Sequence, residues 1–134
     1  MFEEGFINKL NLLNKDNFFD NLEINRGIER EALRVDTVGK ISQKSHPKKL
    51  GSALCNPHIT TDFAEALIEL VTPKFNDVND LYLFLEQIHA FARKNLKNEI
   101  FWNTSMPCKF NNEGEIRLAE YGASNLGKLK NIYR

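Results

Sequence analysis

Four acidic residues, Glu29, Glu31, Asp62 and Glu69, stand among apolar neighbours in segments that read as interior structure. Carboxylates are seldom buried unless they are paired or hold a cation. A group of them offers only oxygen ligands, which suits a hard ion such as Mg²⁺, and Mg²⁺ binds phosphates in turn. Ion pairing with Arg26, Arg30 and Arg34, or simple exposure, explains the same residues without any chemistry. On spacing alone that plainer reading stands first, because surface pairs are common.

The other reactive side chains offer less. His46 sits in a polar loop, His58 follows Pro57, and His89 falls within a helical pattern; none has zinc-site spacing with a cysteine. Cys55 and Cys108 read as buried thiols, since two cysteines make no disulfide framework and neither has an evident base beside it. Gly122–Lys128 has the outline of a phosphate loop, but Leu129 stands where Ser or Thr is required and no strand clearly precedes it. A turn with Ser124 capping a short helix fits better. Trp102 and the phenylalanines read as core.

Elements must position these groups. The spacing of Phe6, Leu10 and Leu13 predicts an amphipathic helix over about 3–14, its apolar stripe turned to the core. Residues 29–34 have strong helix propensity, yet Glu29, Glu31, Leu33 and Val35 also alternate with period two. The difference matters. A strand puts Glu29 and Glu31 on one face, whereas a helix separates them. Residues 36–58 read as loop. Leu67–Val71, closed by Thr72-Pro73, suits a strand buried on both faces, with a helix through Asp62, Glu65 and Glu69 as competitor. Residues 76–98 form the clearest helix, capped by Asn76 or Asp77 and carrying Leu81, Phe84, Leu85, Ile88, Phe91, Ala92 and Leu96 at helical spacing. It is expected to cover a sheet face. Residues 100–123 look irregular, with a turn at 111–114.

Composition sets the outer bounds. The 134 residues suit one domain. Lys and Arg number 18, as do Asp and Glu, so the formal charge is zero and a general nucleic-acid binder is disfavoured. No apolar run of roughly 18 residues is present for a membrane span. The acidic start, Met1-Phe2-Glu3-Glu4, lacks signal-peptide features, and the expected location is the reducing cytoplasm.

Five blocks of residues carry a family resemblance. Gly27-Ile28-Glu29-Arg30-Glu31-Ala32-Leu33-Arg34-Val35, Leu50-Gly51-Ser52-Ala53-Leu54 and the run Ile59–Glu69 come first; Ser105-Met106-Pro107-Cys108 and Leu118–Asn125 follow, with Ile132-Tyr133-Arg134 at the end. Together and in order, over about 20–134, they resemble the proteobacterial-type glutamate–cysteine ligases. The resemblance implies an α+β fold related to glutamine synthetase, a curved and largely antiparallel sheet with helices outside, and it turns residues 29–35 and the Glu69 segment into strands. It implies ATP-dependent joining of the γ-carboxyl of L-glutamate to the amino group of L-cysteine through an acyl phosphate, with Mg²⁺ or Mn²⁺. By motif match it makes Glu29, Glu31, Asp62 and Glu69 the metal ligands, and Phe63 and Tyr133 part of the wall around the substrate cysteine. Ala123, where some relatives carry Thr, leaves that loop open. Cys55 and Cys108 are not expected to be catalytic.

The family's chains are much longer, so residues 1–134 are expected to form an N-terminal part of one catalytic domain, inactive alone, with an open sheet edge. Small-molecule substrates are implied, and neither nucleic acid nor membrane. Two other readings stay open: a different Mg²⁺/ATP carboxylate–amine ligase of the same superfamily, and a non-catalytic α+β module whose carboxylates are merely solvated.

Overall fold

The computed structural model describes residues 4–15, 18, 20 and 22–132. At its centre, β-branched and apolar residues alternate with polar ones in three segments, and all three are strands: β1 (Glu29–Val35), β2 (Ile59–Thr61) and β3 (Leu67–Val71). A short β4 (Ile100–Phe101) completes an antiparallel sheet of order β2-β3-β1-β4. The helix propensity of residues 29–34 is overridden, because only a strand lets Ala32 be buried beside Ile68 while Glu31 points away.

Three helices accompany the sheet. α1 spans Glu4–Lys15, α2 Val78–Lys94 and α3 Asn125–Ile132, with 3₁₀ turns at Lys48–Leu50 and Glu113–Glu115. Asp77 caps α2, its carboxylate accepting from the amides of Asn79 (2.7 Å) and Asp80 (3.1 Å). The Asn95 amide N–H, just past the helix, bonds back to Ala92. α2 lies on one sheet face: Leu85, Ile88 and Ala92, with Leu96, pack on Ala32, Ile59, Ile68, Leu70 and Phe101. This is the covering role that its spacing predicts.

The opposite face is divided. At one end Val35 and Leu33 are covered by Ile41, Ala66, Cys108 and Trp102. At the other end Glu29 and Glu31 lie uncovered. β3 is therefore buried on one face only; Ile68 and Leu70 are fully enclosed, whereas Leu67, Glu69 and Val71 are half-buried.

Other expectations need correction. α1 forms, but none of its residues is buried, and Phe6, Ile7, Leu10 and Leu13 remain substantially exposed. An amphipathic stripe specifies a helix; burying it takes a facing element as well. Cys108 is buried, its thiol pushed up by burial, while Cys55 is exposed. Residues 100–123 are less irregular than they read, since Trp102 donates its backbone N–H to Leu33 and prolongs the pairing of β1 with β4.

One buried ion pair ties the layers together. Arg34 is fully enclosed (0% exposed) and meets Glu99 at 2.8 Å. Its guanidinium also donates to the carbonyls of Lys44 (2.8 Å) and Glu65 (2.7 Å), and Ser42 Oγ donates to the same Glu99 oxygen. Burial pushes the Arg34 pKa down, and Glu99 works against that shift. Removing one partner strands the other charge in a dry site. Glu99→Ala is expected to lower unfolding free energy by about 3–5 kcal/mol; urea denaturation checks this, and a loss near zero would show that the pair carries no structural weight.

Candidate functional site

The register of β1 on β3 builds the acidic face. Glu31 lies directly opposite Glu69, and Thr60 of β2 lies on the far side of Glu69. Glu29 is two residues from Glu31 and so shares its face. Asp62 follows β2 immediately, in the hairpin loop to β3, where its amide donates to the Leu67 carbonyl at 3.0 Å. Glu29 and Glu31 are exposed, while Asp62 and Glu69 are half-buried.

The charges act on one another. The Glu69 carboxyl is raised above its ordinary value, first by burial and then by Glu29, Asp62 and Glu31; Lys130 opposes the shift. All four predicted metal ligands thus share one electrostatic neighbourhood. The ion-pairing alternative is not realised for three of them: among the described residues, Glu29, Glu31 and Glu69 join no salt bridge. The arginines are engaged elsewhere. Arg26 donates to the Asn76 carbonyl, Arg30 reaches Asn103 at 3.5 Å, and Arg34 holds Glu99.

Among the described residues no three His, Cys, Asp or Glu side chains close around a single point. The face is therefore no preformed cage. Mg²⁺ does not need one, because it commonly takes one or two carboxylates and fills its octahedron with water and phosphate oxygens. An all-oxygen set of mutually repelling carboxylates fits that mode of binding.

A clamp holds the Asp62 loop. Segment 117–121 runs antiparallel to it: the Glu65 amide donates to Arg117 (2.8 Å) and the Ala119 amide to Phe63 (3.0 Å). The Tyr121 hydroxyl donates to the Thr61 carbonyl and lies 3.5 Å from that of Asp62. Glu65, 2% exposed, accepts from the amides of His46 and Glu120, each at 2.7 Å. Phe63 stands at the loop tip, 54% exposed, beside Asp62. Tyr133 lies outside the described residues.

Sequence reading missed Glu65, Glu99, Tyr121 and Lys130. Glu65 looked like a third acid on a helical spacing; it is instead a fastener between loops. No local signal marked that role, because its partners lie 19 and 55 residues away. Glu99 carried no signal, because its partner lies 65 residues away.

An antiparallel sheet covered by α2 on one face and bearing carboxylates on the other is an α+β scaffold, and solved structures carry it. The glutamate–cysteine ligase of Francisella tularensis, solved in complex with AMP, superposes with a TM-score of 0.76 at 41% identity, covering 81% of this chain and 22% of that one. A bifunctional glutathione synthetase from Pasteurella multocida gives 0.74 at 32% identity over 81% of this chain and 15% of that one. A family profile described as glutamate-cysteine ligase matches residues 9–134, and the chain belongs to that family. Relatives named glutamate–cysteine ligase include those of Hahella chejuensis, 52% identical over 84% of this chain, and Janthinobacterium, 47% identical over 96%. The chain spans 22% and 25% of their respective lengths. The expected α+β class, antiparallel sheet and family are borne out.

The pH dependence of Glu69 follows from its environment. A raised acid pKa means that the folded chain holds the proton more tightly than the unfolded chain. The associated stability is present below the ordinary carboxylate range and is lost as pH rises through the folded value. Glu69→Gln removes that loss and the repulsion from Glu31 opposite. It is expected to stabilise the fold at pH 7 by about 0.2–1 kcal/mol, the scale of a cross-strand pair, with the gain vanishing in acid. Urea midpoints of both chains across pH 4–7 check this; a gain that persists unchanged in acid would contradict it.

Proposed function

We propose that this chain supplies the cation-holding face of an ATP-dependent ligase that joins the γ-carboxyl of L-glutamate to the amino group of L-cysteine. The observation that carries the reading is the alignment of Glu31 with Glu69, flanked by Glu29 and Asp62, on the open face of a sheet belonging to this family. The share of its relatives that the chain covers supports its being one part of a larger catalytic domain. The relatives' names support the substrates, and the AMP held by the Francisella enzyme supports a nucleotide. The cytoplasm is the compartment that holds all three reactants.

The chemistry needs such a face. A carboxylate attacking the terminal phosphoryl group of ATP brings anions together and yields an acyl phosphate, which the amine then attacks. Bound Mg²⁺ would offset that repulsion and stabilise the charge that develops on the phosphoryl group. Glu29, Glu31, Asp62 and Glu69 would hold it. Their placement on paired strands and a clamped loop fixes the backbone positions from which they reach. Phe63, exposed next to Asp62, offers an apolar surface to the thiol side chain of the acceptor amino acid, and Tyr133 is proposed to complete that wall.

In a ligase that carries this segment, Glu29→Gln and Glu69→Gln are each expected to lower γ-glutamylcysteine formation by about 100-fold or more, with circular dichroism unchanged. Unaltered rates would favour the reading as a non-catalytic module. Preference for an amine other than cysteine would point to a different ligase of the superfamily. The 134 residues alone are expected to give no turnover, and γ-glutamylcysteine formed by them would overturn that.

A further inference from the structure

α3 is seated unusually close to the chain that precedes it. Gly127 is buried, and a Cβ there would lie 2.4 Å from the Tyr121 carbonyl oxygen and 2.7 Å from that of Gly122. Those are backbone atoms that cannot step aside, so only glycine permits the contact. Ser124 Oγ accepts from the Gly127 amide at 3.0 Å and fixes the first turn.

The seating has a result one turn later. Lys130, three residues on and therefore on the same side of the helix, sets its ammonium 4.2 Å from the centre of the Tyr121 ring. The other end of that tyrosine holds the Thr61 carbonyl beside Asp62. One aromatic side chain thus links the ammonium to the rim of the acidic face. Lys130 is half-buried, whereas its neighbour Lys128 is exposed. Glu69 lies within the reach of its charge. Yet among the described residues Lys130 forms no salt bridge, and no hydrogen bond uses its three N–H donors. A cation whose charge reaches Glu69 without forming a salt bridge, and which is racked against a ring instead, has donors for something else.

We propose that Lys130 binds an oxyanion of the reactants, a phosphoryl group or a carboxylate, where that anion meets the acidic face. The inference rests on the reading of that face as a divalent-cation site, because four carboxylates alone would repel the anion. With cations held by that face, Lys130 would supply the flanking positive charge. Gly127 and Tyr121 are positioning residues that set its place.

Calorimetry on the chain separates the possibilities. Mn²⁺ is titrated first, alone; then tripolyphosphate and L-glutamate are titrated separately in its presence. Lys130→Met keeps the stem on the ring and removes the charge. It is expected to leave Mn²⁺ binding in place and to weaken one oxyanion by about tenfold or more, the scale of a charge-assisted hydrogen bond. Weaker tripolyphosphate identifies the phosphoryl group, and weaker glutamate the carboxylate. Lys130→Arg should retain most of the affinity, Lys128→Met all of it, and Gly127→Ala should reproduce the loss although Lys130 is intact. If Mn²⁺ binds but the Lys130→Met chain takes both oxyanions as the parent does, or the parent takes neither, Lys130 has no such role and the cation site stands. If Mn²⁺ itself does not bind, the cation site fails and this inference falls with it.

Discussion

Ala32, Ile68 and Leu70 must face α2, and that requirement sets Glu31 across from Glu69. A slip of one residue between β1 and β3 would turn the apolar set outward and bury the acids. The register is thus held by burial on one face, and the other face inherits its charge arrangement as a consequence. Fully burying an apolar side chain is worth roughly 1.5–3 kcal/mol. Repulsion between opposed, partly solvated carboxylates is smaller. Packing therefore wins, and the acidic face persists although its own charges oppose it.

The polar groups that do the structural work are different ones. Arg34 and Glu99 neutralise each other inside the molecule, and Glu65 satisfies two backbone amides. Glu29, Glu31 and Glu69 are left outside these networks. Acids that stabilise the fold are enclosed and hydrogen-bonded; Glu29 and Glu31 are exposed and, among the described residues, join no salt bridge. The same division separates Arg34, whose terminal nitrogens bond Glu99 and the carbonyls of Lys44 and Glu65, from Lys130, held against a ring and joining no salt bridge among the described residues.

Much of this was legible in advance, for identifiable reasons. α2 was readable because one face repeats Leu85, Ile88 and Ala92 at helical spacing and Asp77 can cap it. The turn at Asn112–Gly114 and the cap at Ser124 were readable because those side chains bond within their own neighbourhood. β1 was not readable from residues 29–34 alone, where propensity favours a helix and only pairing with β3 decides. The stripe of α1 misled, since periodicity reports a helix without naming what covers it. The assignment of the four acids as metal ligands came from motif resemblance; spacing alone preferred arginine partners, which are engaged elsewhere. The clamp at Glu65 and Tyr121 was invisible, because its contacts join residues 19 to 60 positions apart.

Glu65 also bears on the order of assembly. Its carboxylate accepts from amides 19 residues before it and 55 residues after it. Such closures come late, once the β2–β3 hairpin has formed locally and β1 has docked, because long loops cost entropy before their contacts repay it. Bonds made after the barrier has been crossed act mainly on the return path. The buried carboxylate is therefore a latch in the kinetic sense: it does little to hasten folding, and it lengthens the time for which the Asp62 loop, once shaped, keeps its shape.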